Sequence, residues 1–94
     1  MIRSFRGDLT KAVAAGKSPK GFPADLARRA VRKLTMLNAA LRLDDLRSPP
    51  GNRLEALVGD RAGQHSVRIN DQWRICFVWT DGGPEQVEIV DYHR

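Results

Sequence analysis

The chain ends in Asp91-Tyr92-His93-Arg94, and Arg68 and Arg74 stand six apart around a candidate hairpin turn. These residue types suit proton transfer beside a phosphate. An imidazole titrates at about pH 6.5, so His93 is a candidate acid or base. Asp91 lies two positions earlier and shares a face with His93 in an extended tail, where it would orient the ring or act as base. Tyr92 offers a hydroxyl and a ring to stack. The planar forks of Arg68 and Arg74 match a phosphate. Plainer readings stand beside these. The ending is then a polar tail, and Arg74 pairs structurally with Asp91 or Glu88, because an arginine in an apolar strand is rarely buried alone.

The remaining reactive side chains add little. The single Cys76 excludes an internal disulfide framework and a multi-cysteine zinc site, and the two histidines lack ligand spacing, so no metal or other cofactor is expected. Cys76 reads as a small core residue and His65 as structural. No glycine-rich phosphate loop is present.

Elements must hold these groups in place. Ile2 to Phe5 alternates like a short strand. Gly7 to Ala15 suits a short helix, with Leu9, Ala12 and Val13 on one side and Gly16 as its stop. A longer helix begins near Pro23, and Leu26, Ala30, Leu34, Leu37 and Leu41 form its apolar stripe. Arg28, Arg29, Arg32 and Lys33 lie off that stripe. They form either a solubilising face or a surface for phosphate or a partner. Leu43 to Leu46 adds a turn of helix, and Ser48-Pro49-Pro50-Gly51 breaks regular structure. Strands follow at Arg53–Leu57, His65–Ile69, Trp73–Trp79 and Glu85–Tyr92, with turns at 59–63, Asn70-Asp71 and 81–83. Asn70-Asp71 suits a turn with positive φ. Trp73, Ile75, Phe77 and Trp79 should face the helices, leaving Arg68 and Arg74 in the open on the other face. The expected architecture is α+β, with N-terminal helices packed on a small, mainly antiparallel sheet.

With 94 residues, the chain has room for one domain, 1–94, and a thin core. No stretch reaches the roughly 20 apolar residues of a membrane helix, and the start lacks a signal peptide's apolar run, so a cytoplasmic protein with no membrane partner is expected. The net charge of +5 hides an asymmetry: residues 1–47 hold 11 basic and 4 acidic side chains, and residues 48–94 hold 5 and 7. Arginine supplies 12 of the 16 basic residues, which points toward a polyanion, either nucleic acid or an acidic protein.

In order and spacing, the opening Met1-Ile2-Arg3-Ser4-Phe5, the loop Gly59-Asp60-Arg61 with Gly63 and Ser66, the strand Trp73-Arg74-Ile75-Cys76-Phe77 and the ending Asp91-Tyr92-His93 resemble HigB-type toxins of the RelE superfamily. The resemblance runs along essentially the whole chain. It implies a RelE-like fold and the toxin of a type II toxin–antitoxin pair: a metal-independent endoribonuclease that cleaves translated mRNA on the ribosome. It also implies a HigA-type helix-turn-helix antitoxin that holds the toxin inactive and mediates contact with operator DNA. Such cleavage uses the ribose 2′-hydroxyl as nucleophile and needs a base, an acid and cations around the phosphate. Carried onto this sequence, the catalytic candidates are Asp91, Tyr92, His93, Arg74, Arg68 and Glu55. The candidates for binding RNA or the ribosome are Arg28, Arg29, Arg32, Lys33 and Arg61. Two positions depart from the family pattern: Glu55 stands for a usual histidine and Val58 for a usual lysine. A carboxylate can serve as base, whereas Val58 offers a phosphate nothing. The alternatives are a catalytically weakened member acting mainly as antitoxin-binding co-repressor, and a gyrase-targeting toxin of the same superfamily.

Overall fold

The computed structural model describes residues 1–92. The first helix, α1 (Asp8–Ala14), carries Asp8 in its first turn, where the helix dipole favours a carboxylate. Gly16 ends it at φ 87°, a left-handed conformation that turns the chain back so that the Lys17 N–H reaches the Ala12 carbonyl at 3.0 Å. Helix α2 (Ala24–Ala39) follows Pro23, whose φ of −56° leads into it. Ala27, Ala30, Leu34 and Leu37 form its buried stripe. Leu41 was expected to continue that stripe, but the chain becomes extended at Ala40 and Leu41 is 88% exposed. The expected turn at Leu43–Leu46 is a 3-10 helix over Leu43–Arg47, and a second 3-10 turn covers Pro50–Asn52.

Four strands form an antiparallel meander in the order β1 (Glu55–Ala56), β2 (His65–Arg68), β3 (Trp73–Thr80) and β4 (Gly83–Asp91). The expected strand at Arg53–Leu57 shrinks to two residues, because Arg53 adopts a left-handed backbone. The expected strand at Ile2–Phe5 reduces to a parallel bridge from Phe5 to Val87. Residues 3–6 nevertheless run along β4: Arg3 N–H donates to the Pro84 carbonyl at 2.8 Å and Arg6 N–H to the Val87 carbonyl at 2.9 Å. Their approach is close enough that a Cβ on Gly83 would lie 2.2 Å from the Met1 carbonyl oxygen. The β2–β3 turn does not use positive φ at Asn70 or Asp71. Instead the Asn70 side-chain oxygen accepts from the backbone N–H of Gln72 and Trp73, at 2.9 and 2.8 Å.

The helices lie on one face of the sheet. Val13, Phe22, Ala30, Leu34 and Leu37 meet Val67, Ile69, Ile75, Phe77, Val87 and Ile89 in one core cluster. Phe22 packs edge-on against Trp73 with ring centroids 5.1 Å apart. Burying a side chain such as Leu37 or Ile75 contributes about 1.5–3 kcal/mol. A register shift between Cys76 and Val78 lets β4 bulge around Val87, whose backbone binds Ser4 and Arg6 outside the ladder, while Ile89 N–H donates to Thr10 Oγ1 at 2.8 Å.

The opposite face departs from expectation. Arg74 is not in the open: it is 7% exposed, with Ser66 and Cys76 at 0%. The cause is the irregular chain on either side of β1. Arg53 brings its backbone over Arg74, and the 59–64 loop folds back so that Arg61 reaches Glu88, the register partner of Cys76.

Candidate active site

On the face away from the helices, Arg53, Glu55, Arg68, Asn70, Asp71, Arg74 and Tyr92 line an open polar cleft of about 360 Å³. Period-two geometry builds it. Glu55 opposes Ser66, Arg68 opposes Arg74, and Arg74 opposes Val90, so all lie on one face, and Tyr92 continues the Val90 side. Arg74 Nε donates to Ser66 Oγ at 2.7 Å, and its Nη2 donates to the carbonyls of Arg53 at 2.6 Å and Ser66 at 3.3 Å. Its guanidinium carbon lies 5.8 Å from the centre of the Tyr92 ring. Arg68 Nη2 donates to the fully exposed Asp71 carboxylate.

Of the catalytic candidates, the structure therefore gathers Glu55, Arg68, Arg74 and Tyr92. Asp91 pairs with Trp73, so it belongs to the other face of the sheet, and its carboxylate accepts from Gln72 Nε2 at 3.1 Å. His93 lies outside the described residues. Arg53, Asn70 and Asp71 were missed from the sequence. Arg53 sits outside any regular strand, and Asn70-Asp71 reads as turn chemistry alone.

Among the candidates for RNA or ribosome contact, Arg28, Arg29 and Arg32 are exposed along α2. Lys33 is half-buried, and its Nζ donates to Asn52 Oδ1 at 2.6 Å. Burial first, then Arg29, Arg32 and Arg68, hold the Lys33 ammonium below the usual lysine range. Asn52 directly precedes Arg53 of the cleft wall, so Lys33 is the member of the ridge tied to the cleft. Arg61 is elsewhere: it pairs with Glu88 at 3.3 Å and donates to Gln64 at 3.1 Å, away from the cleft lining. Behind it, burial pushes the Cys76 thiol up. His65 stacks on Phe77 on the core side, with centroids 6.3 Å apart. Val58 is 85% exposed and does not line the cleft. Among the described residues, no three histidine, cysteine or acidic side chains gather as metal ligands, and no helix is long and apolar enough to cross a membrane.

The arrangement can hold a phosphate between Arg68 and Arg74 and offer the Glu55 carboxylate as a proton acceptor beside it. A family model described as "RelE-like toxin of type II toxin-antitoxin system HigB" matches residues 3–93. The chain belongs to the HigB-like toxins. Within that family it is similar to Toxin HigB-1 of Vibrio cholerae serotype O1, 47% identical over 61 residues, which cover 65% of this chain and 64% of that relative. It is also similar to a Haemophilus influenzae protein named only as uncharacterized, 36% identical over 74 residues that cover 78% and 73% of the two chains. Endoribonuclease HigB of Proteus vulgaris is 29% identical over 93 residues, spanning 99% of this chain and all of that one. The match to the Vibrio relative spans slightly under two thirds of its length. The α+β fold agrees with membership of the HigB-like family.

Proposed function

We propose that this HigB-like toxin is a ribosome-dependent, metal-independent endoribonuclease that cleaves translated mRNA in the cytoplasm. On this reading a HigA-type antitoxin holds it inactive, and it meets operator DNA only through that antitoxin. The observation that carries the proposal is the cleft itself, in which two cross-strand guanidiniums, Arg68 and Arg74, flank Glu55 and Tyr92. The name of the Proteus vulgaris relative supports the reaction type.

Cleavage begins when the ribose 2′-oxygen attacks the adjacent phosphorus. Glu55 takes the 2′-hydroxyl proton as the new P–O bond forms. Arg68 and Arg74 offset the charge that grows on the phosphorane-like transition state. The bond to the 5′-oxygen breaks, and that oxygen leaves as a hydroxyl with a proton from His93. The products are a 2′,3′-cyclic phosphate and a 5′-hydroxyl end. Tyr92 stacks on a base or hydrogen-bonds the ribose, and Asp91, two positions before His93 in sequence, is given the role of orienting its ring. The exposed ridge of Arg28, Arg29 and Arg32, with Lys33 at its cleft end, docks ribosomal RNA or the antitoxin.

Inducing the chain in bacteria and mapping mRNA 5′ ends tests the reading. New 5′-hydroxyl ends inside translated frames, absent from a folded His93→Ala variant, are expected. Growth arrest with intact transcripts overturns it, and DNA breaks with intact mRNA point to gyrase instead. One observation favours a weakened enzyme acting mainly as antitoxin partner. Val58 stands exposed and uncharged where the family pattern has a lysine. In that case the wild-type chain is silent, and Glu55→His with Val58→Lys gains cleavage.

A further inference from the structure

Between α2 and β1 the chain runs irregularly, yet Asn52 in its middle is only 1% exposed. Its side-chain amide ties together α2 and the end of the 3-10 turn at Leu43–Arg47. Oδ1 accepts from Lys33 Nζ on α2 at 2.6 Å, and Nδ2 donates to the carbonyls of Leu46 at 3.1 Å and Ser48 at 3.3 Å. The next residue, Arg53, has φ 45° and ψ 57°, a left-handed backbone uncommon outside glycine. In that conformation its carbonyl meets Arg74 Nη2 at 2.6 Å.

A long arginine side chain has many rotamers, and charge stabilisation at a phosphate depends on holding it in one of them. Ser66 grips the fork at Nε, and the Arg53 carbonyl grips it at Nη2. Ser66 is part of a regular strand and needs no further support. The Arg53 carbonyl is part of no ladder, so its direction depends on the left-handed turn that Asn52 anchors.

We propose that Asn52 and the left-handed backbone of Arg53 are positioning residues: together they aim the Arg53 carbonyl at Arg74 and so fix that guanidinium in the cleft. The functional consequence rests on the proposed RNA cleavage, but the positioning itself does not.

The experiment compares Arg53→Gly, Arg53→Asn, Arg53→Ala and Arg53→Val. All four lose the same guanidinium from the cleft wall and differ in tolerance of positive φ, which glycine and asparagine accept and valine resists. The first readout is nitrogen NMR of the Arg74 side chain, assigned by the signals that disappear in Arg74→Lys. Slow Nε–H exchange and separately resolved Nη–H signals should persist in the Gly and Asn variants and collapse in the Val variant. Should the Val variant fail to fold, Arg53→Ala reports in the same direction with a smaller penalty. Asn52→Ala should cause the same collapse while leaving the Arg53 side chain in place. The second readout is single-turnover RNA cleavage. The Val variant should be about 10- to 100-fold slower than the Gly variant at nearly equal substrate affinity, the penalty of a misplaced group. Unchanged Arg74 signals across the series, or in Asn52→Ala, overturn the proposal. Collapsed signals with equal cleavage rates support the positioning and overturn the role given to Arg74 in cleavage.

Discussion

Arg68 and Arg74 are direct cross-strand partners, one on β2 and one on β3. Like charges placed directly opposite in a sheet are destabilising, so the pair must be offset by its surroundings. Asp71 meets Arg68, while Ser66, the Arg53 carbonyl and the Tyr92 ring meet Arg74. On the proposed function, a substrate phosphate would add a further offset between the two guanidiniums.

Replacing Arg74 with alanine removes a buried donor set and leaves Ser66 Oγ and the Arg53 carbonyl without it. A stability loss of about 1–3 kcal/mol is expected from chemical denaturation. Cleavage should fall about 100- to 1,000-fold in kcat, the scale of losing one transition-state donor. Arg74→Lys should not restore the rate, because an ammonium cannot reproduce the fork. A lysine variant as fast as the wild type would show that charge alone suffices.

Asp71 is fully exposed, so its pair with Arg68 contributes little to stability, about 0–1 kcal/mol. Asp71→Asn should therefore leave the melting temperature nearly unchanged. It should also free Arg68 for the substrate, lowering KM a few-fold at low salt, with the difference fading as salt screens it. KM measured across an ionic-strength series checks this.

The ridge on α2 should act through phosphates. The triple variant Arg28→Gln, Arg29→Gln, Arg32→Gln should weaken binding to ribosomes and flatten its salt dependence. The log–log slope should drop by about 0.7–0.9 for every phosphate that the variant no longer neutralises. Sedimentation of the protein with ribosomes at graded salt reads the slope. An unchanged slope would assign the ridge to the antitoxin.

Asp45 holds the turn after α2. Its Oδ2 accepts from the backbone N–H of Leu41 and Arg42, both at 3.0 Å. Those hydrogen bonds, chiefly the one from Arg42, hold its carboxyl below the usual carboxylate range. A depressed folded-state pKa stabilises above the unfolded value, about 3.9, and that contribution disappears as pH falls through the folded value. The melting temperature of Asp45→Asn should trail the wild type at neutral pH and converge with it in strong acid.

The local periodicities were legible in the sequence. The α2 stripe, the alternation of β3 and the meander follow from side-chain spacing and turn residues. So does the placement of Arg68 and Arg74 on one face. The burial of Arg74 was not legible, because it depends on Arg53, 21 positions away, taking a left-handed turn. Nothing local to Arg53 announces that conformation. The same holds for Asn52, whose partners come from α2 and from the end of the preceding 3-10 turn. The sequence relates Asp91 only to its tail neighbour His93; its face in the sheet follows from the pairing with Trp73, which spacing within the tail does not reveal.

The stretch of residues 3–6 beside β4 has a bearing on synthesis. The Ser4 hydroxyl accepts from Gln86 N–H, 82 positions later. Residues 3–6 thus wait for β4 before their hydrogen bonds close. At about 5–20 residues per second, that is several seconds in which the sheet lacks its final strand and the cleft lacks Tyr92. On the proposed function, a protein that attacks translation lacks its complete cleft until β4 and Tyr92 have been made.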